Sequence, residues 1–200
     1  MPFYLLQFLL WLAYGVLHSV LADNKVKQFF EQKMGKTYSY YRLLYNLQAL
    51  LFLVAILVYQ RTLPVERLWD FDWRIHVVGN VLKYGGLLIV LIAISGYNLK
   101  EFSGLAFSPR NANAGSGTLK TTGLLRYVRH PIYTGTFLFI WGLFIEEASI
   151  RNLIMAVCVT VYVRIGIVFE ERKLIAEFGE NYLEYRRQVP MLFPNFYNRR

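Results

Sequence analysis

The stretch Arg129-His130-Pro131-Ile132-Tyr133-Thr134-Gly135 opens an apolar run that lasts to Ile145, and a second apolar run, Ile150 to Phe169, ends at Glu170-Glu171. Two such runs with so short a connection make a helical hairpin across a membrane, because inside lipid a helix satisfies its own backbone polar groups. A hairpin returns its two ends to one face. The Arg-His-Pro cluster and the acidic pair are therefore expected at the same depth, where they form a candidate site.

The rest of the chain agrees with a membrane setting. Its 200 residues are 56% hydrophobic with a mean hydropathy of +0.32, far from the average of a soluble domain. A hydrocarbon core about 30 Å thick takes about 20 apolar residues per helix, and five stretches come close: 3–22, 41–59, 77–99, 131–145 and 150–169. The expected fold is all-α, a polytopic membrane protein of about five transmembrane helices forming one domain over residues 1–200. The third stretch carries Lys83 and the fourth is short, so each is expected to tilt, snorkel or thin the bilayer. The first stretch has no basic n-region and is too long for a secretion signal's apolar core, so it reads as a retained helix. Cys158 is the sole cysteine; an intrachain disulfide is excluded and packing is its expected role.

Basic residues set the orientation. The first and third connections and the tail, with Arg42 at the start of the second run, hold sixteen Lys and Arg, against four in the second and fourth connections with Arg151 at the start of the fifth run, which places the N-terminus outside and the C-terminus in the cytoplasm. The net charge of +9 is then explained by anionic membrane lipids, and no nucleic-acid partner is expected. Residues Ser108 to Thr122 are rich in Gly, Ser and Asn and read as a flexible connection or a movable lid. Arg172 to Arg187 mixes apolar and charged residues at helical spacing, an amphipathic helix on the cytosolic surface, interrupted at Gly179 and ended by Pro190 and Pro194.

Several side chains bear chemistry. Pro131 suits the first turn of a helix, whose unpaired N–H groups face a polar or anionic ligand, with His130 and Tyr133 beside it; anchoring at the headgroups is the plain alternative. Glu170 and Glu171 sit against the negative end of a helix dipole, so a cation, water or a ligand with hydroxyl or ammonium donors should offset them. Arg164 lies inside the fifth run at a cost of about 3 kcal/mol unless it meets protein, water or a counter-ion; it shares a helix face with Glu171, as a structural pair or as a substrate-facing cation. His18, with Arg42 and Asn46 at the same depth, is a candidate base. Three histidines in separate segments and one cysteine make no metal site, and no nucleophile elbow or phosphate loop is present.

The run Gly123 to Gly135, with Glu170-Glu171, Phe178 to Tyr185 and Val189-Pro190, resembles the isoprenylcysteine carboxyl methyltransferase and phospholipid methyltransferase superfamily over the last 80 or so residues. Leu17 to Ala22, Tyr41-Arg42-Leu43 and Val189 to Pro194 are similar to the branch holding nurim and the methanethiol S-methyltransferases. The resemblance implies an enzyme that uses S-adenosylmethionine, held by cytosolic elements 117–135 and 170–194. It places cofactor contacts at Leu119, Lys120, Leu125, His130, Pro131, Ile132, Tyr133 and Glu170, with Glu171 beside it, and leaves Arg164 and His18 as the catalytic candidates. The carboxyl methyltransferases carry a His at the position of Gly117 and a substrate-binding Arg at that of Gly166. Both are Gly here, so a lipophilic or thiol acceptor is expected, with a prenylcysteine or phospholipid acceptor as the alternative. Two other classes stay open: an NADPH-dependent reductase, whose His-Pro-x-Tyr turn is similar but continues with Asn and Glu that this chain lacks, and a nurim-like protein without enzymatic activity.

Overall fold

A computed structural model of the chain describes residues 2–70, 72–96 and 118–194. Among them are seven α-helices: α1 (Pro2–Ala22), α2 (Asn24–Met34), α3 (Tyr41–Thr62), α4 (Trp73–Ser95), α5 (Pro131–Glu146), α6 (Ile150–Phe178) and α7 (Glu180–Gln188), with 3₁₀ turns at Gly35–Tyr40 and Gly123–Arg126. No strand occurs among the described residues, and a lone antiparallel bridge joins Arg67 to Ser149. Helices α1, α3 (taken together with α2), α4 and α6 are long and apolar enough to cross a membrane. Helix α5 is apolar but has 16 residues, a rise of about 24 Å.

Three expectations change. The first connection is not a loop: Asp23 caps α2 by accepting from the Lys25 N–H at 2.8 Å, and the helix buries no residue. The cytosolic amphipathic helix does not start at Arg172, because nothing breaks the helix before Gly179, so α6 continues to Phe178. Gly179 then takes φ +55°, a left-handed conformation that costs glycine little, and turns the chain into α7. Helix α4 starts at Trp73, four residues before the expected Val77, and its described part ends at Ser95; residues 97–99 of that run, Gly117, and residues 108–117 of the candidate lid lie outside the described residues.

Small residues hold α4 and α5 together. Gly79 and Gly86, seven apart on α4, meet Gly142 and Gly135, also seven apart, on antiparallel α5. A Cβ on Gly86 would lie 2.5 Å from the Gly135 carbonyl oxygen, and one on Gly142 would lie 2.4 Å from the Lys83 nitrogen. Without Cβ atoms the two backbones approach closely, as small residues permit between helices in lipid. Lys83 rests over the Tyr84 ring and forms an ion pair with Glu146 at the end of α5, which accounts for a lysine inside an apolar helix.

A polar network ties α1, α3 and α6 at the end where α6 begins. The fully buried Gln7 donates to Gln60 Oε1 at 3.0 Å and to the Arg151 carbonyl at 2.8 Å, and Gln60 donates to Asn152 Oδ1 at 3.0 Å. Arg151 closes the network on Glu147 at 2.8 Å. At the other end, Tyr41 donates to the Leu21 carbonyl at 2.8 Å. Between them Trp11, Ile56 and Met155 form an apolar core, with Cys158 packed at its edge.

Candidate active site

The start of α5 and the late part of α6 meet, as the hairpin requires. Pro131 occupies the first helical position, where its missing N–H costs nothing, and the helix offers no partner to the N–H of Ile132. Arg129, just outside the helix, reaches Glu171 through Nε at 2.9 Å and Nη2 at 2.6 Å. Its Nη1 donates to the carbonyls of Val189 at 2.6 Å and Arg186 at 3.2 Å. His130 brings Nε2 to 3.2 Å from the same Glu171 oxygen, and Arg186 stands 3.7 Å from the other oxygen.

The residues after α7 form a strap across this corner. The N–H groups of Arg129 and His130 donate to the carbonyls of Pro190 and Met191 at 2.9 and 3.1 Å, and the Thr134 hydroxyl donates to the Leu192 carbonyl at 2.6 Å. Tyr185 donates to the Leu125 carbonyl at 2.6 Å, fastening α7 to the 3₁₀ turn before α5. Burial alone would raise the Glu171 carboxyl, but the hydrogen bonds and charge of Arg129, aided by His130, outweigh it and hold the group below the ordinary carboxylate value. Tyr182, fully buried in α7, is pushed up to about 12, first by burial and then by the negative charge of Glu171.

The two neighbouring glutamates thus have different surroundings. Glu171 is buried and engaged by Arg129 and His130, so it serves the strap. Glu170 keeps 45% of its side chain exposed, with one oxygen 3.8 Å from His130 Nδ1. The Tyr133 ring stacks on the His130 ring at 5.6 Å. Leu119 is half-buried and Lys120 exposed on the approach to this corner, while the Leu125 carbonyl is taken by Tyr185. A half-exposed carboxylate beside a helix N-terminus fits a ligand that carries hydroxyl or ammonium donors.

Arg164 touches this cluster at the strap, and His18 stands apart from it. Of the two roles open to Arg164, the structural pair with Glu171 is not made: Arg164 is exposed and places Nη1 3.0 Å from the Met191 sulfur, while Glu171 faces Arg129. His18 sits among three tyrosines, its Nε2 2.5 Å from the Tyr45 hydroxyl and its ring 5.8 Å from Tyr14 and 6.1 Å from Tyr162. A cavity of about 860 Å³ opens elsewhere, at the end where α6 begins, and its inner end is lined by Tyr14, Tyr162 and Thr136. Thr134, Tyr182, Arg186 and the strap carbonyls are contributors that patterning alone did not single out. Thr134 lies inside the quoted motif and Tyr182 and Tyr185 are three apart on α7, so a helical face was the signal available.

Comparison with known proteins agrees with the resemblance. Residues 75–181 match the family model for phospholipid methyltransferase. A methanethiol S-methyltransferase of Crocosphaera subtropica is 32% identical over 201 residues, covering 90% of this chain and 71% of that protein. Methanethiol S-methyltransferase 1 of Bradyrhizobium diazoefficiens is 31% identical, with 95% and 66% covered. A protein-S-isoprenylcysteine O-methyltransferase of Schizosaccharomyces pombe is 33% identical over 98 residues, 48% of this chain and 39% of that protein. No solved structure matches.

Proposed function

The chain belongs to the phospholipid methyltransferase family and is a multi-pass membrane methyltransferase, and from that premise we propose that it methylates a small or lipophilic thiol with S-adenosylmethionine. The observation that carries the donor assignment is Glu170, a half-exposed carboxylate held beside the first turn of α5. Glu170, His130, Tyr133 and the backbone at Pro131 and Ile132 would hold the donor, with Leu119, Lys120 and Leu125 on the approaching segment. When bound, S-adenosylmethionine supplies a methyl group on a sulfonium, which an acceptor thiolate takes in line while the electron pair of the broken bond returns to the donor sulfur.

Because the displacement itself requires no covalent step on the protein, the residues of this chain act by alignment and by managing one proton. The Arg129–Glu171 clasp and the strap keep the corner in one geometry. Arg164, close to the strap, is assigned to favour the thiolate, and His18, behind Tyr14 and Tyr162, to take the thiol proton. The thiol class follows from the names of the relatives that align along most of the chain, and from Gly166 standing where the carboxyl methyltransferases carry an arginine that meets a carboxylate. In the membrane, α5 makes a fifth crossing, the N-terminus lies outside, and elements 117–135 and 170–194 with α7 face the cytoplasm as parts of one domain.

A screen of the purified protein with methyl-labelled donor against thiols, a prenylcysteine and a phospholipid tests the acceptor. The expected product is a labelled thioether. Label in a methyl ester or a phospholipid headgroup, with none in thioether, would replace the thiol reading.

A further inference from the structure

The cavity that opens at the beginning of α6 is larger than a two-heavy-atom thiol needs. Its volume of about 860 Å³ lies near the top of the range for pockets that hold drug-sized ligands. The walls are apolar and soft, formed by Trp11, Phe139, Leu143, Met155, Cys158 and Val159, while Arg67, Asp70, His76 and Glu147 ring the mouth. Trp11 is 6% exposed, and its indole N–H finds no hydrogen-bond partner among the described residues.

The inner end points toward the donor corner. Thr136 lies four residues along α5 from Ile132, about 6 Å of helix rise, and Val163 lies seven residues before Glu170, about 10 Å. Phe139, Ile140, Val159, Tyr162 and Val163 belong both to the cavity wall and to the apolar cluster that includes Tyr133, Met191 and Leu192 under the strap. The cavity is therefore contiguous with the packing beneath the proposed donor site.

We propose that this cavity is the acceptor chamber and that it takes an uncharged thiol bearing an apolar chain of several carbons, the chain along the Leu143–Met155 wall and the sulfur at the Thr136–Tyr162 end. The proposal rests on the thiol reading above and adds a size class to it. An acceptor of this kind buries its chain against the wall, so binding strengthens about fourfold with each methylene, whereas methanethiol leaves most of the chamber unfilled.

Cys158 reports occupancy directly, because it lines the chamber and is the only cysteine in the chain. The experiment measures the rate of Cys158 alkylation by N-ethylmaleimide in the full chain in lipid vesicles, with dimethyl sulfide or decyl methyl sulfide as unreactive stand-ins for the methylated product. Saturable slowing of at least tenfold by decyl methyl sulfide, with little effect of dimethyl sulfide at the same concentration, is the expected result. Leu143→Trp, which fills the wall, should remove the protection while S-adenosylhomocysteine binding persists; if that variant does not fold, the wild-type series decides alone. Equal effects of the two sulfides, no protection by either, or a Cys158 that the maleimide never reaches would each overturn the proposal. Protection is read without turnover, so failure of every thiol in the methylation screen beside intact protection would count against the thiol reading and leave the chamber standing.

Discussion

Arg129 grips Glu171 through two nitrogens, at 2.9 and 2.6 Å, while its third nitrogen holds the carbonyls of Arg186 and Val189. One side chain thus joins the segment before α5, the body of α6 and the strap after α7. Both partners are buried, with side-chain exposures of 6% and 8%. Removing one member leaves an uncompensated buried charge, which costs about 3–5 kcal/mol. Glu171→Leu and Arg129→Leu should each lower the melting temperature in detergent sharply. The double variant should recover part of the loss, and a double variant no better than the worse single one would show that the two residues act separately.

The acid limb of stability follows from the same pair. The folded-state pKa of Glu171 lies below its ordinary value of 4.5, so its contribution is present in full above that value and is lost as pH falls through the folded-state pKa. Melting temperature should stay level through neutral pH and fall only below the ordinary carboxylate range. Glu171→Gln should flatten that acid limb; an unchanged limb would assign it to other groups.

The glycine seam sets the distance between α4 and α5. Gly86→Ala drives a Cβ to 2.5 Å from both the Gly135 oxygen and the Phe139 nitrogen, whereas a Cβ on neighbouring Gly85 meets nothing within 4 Å. Overpacking of this kind costs about 1–3 kcal/mol, while an alanine at the open helical position gains up to about 1 kcal/mol. Thermal melts of Gly86→Ala and Gly85→Ala should therefore move in opposite directions, and equal shifts would contradict the seam.

Much of the hairpin was legible from hydropathy: Pro131 marks the start of α5, and Ile150 that of α6. The glycine seam was also written in the chain, at 79, 86, 135 and 142, yet a seven-residue recurrence does not name its partner helix. The roles of Gln7 and Gln60 could not be read from the chain, because what satisfies them, Arg151 and Asn152, lies some ninety to one hundred and forty residues away. The site was half legible. Its motif residues were found, but adjacent Glu170 and Glu171 have the same chemistry on paper, and only the fold turns one toward Arg129 and the other outward.

The orientation carries its own test. The Leu68 N–H donates to the Ala148 carbonyl at 2.7 Å, so Asp70, two residues on, marks the depth of the connection between α5 and α6. Cysteines placed singly at Asp70 and Thr118, in a Cys158→Ala background, should react with a membrane-impermeant maleimide from opposite sides of the bilayer, Asp70 from outside and Thr118 from the cytoplasm. Reaction of both from one side would remove the crossings assigned to α4 and α5.

The central claim is that the first turn of α5 and Glu170 of α6 hold the methyl donor, and calorimetry with S-adenosylhomocysteine tests it most directly. The account predicts binding to the wild-type protein and at least a tenfold loss in Glu170→Ala, with its melting temperature unchanged, and in Tyr133→Ala, with the fold retained. Undiminished binding in both variants, or binding of NADPH in place of S-adenosylhomocysteine by the wild type, would contradict it.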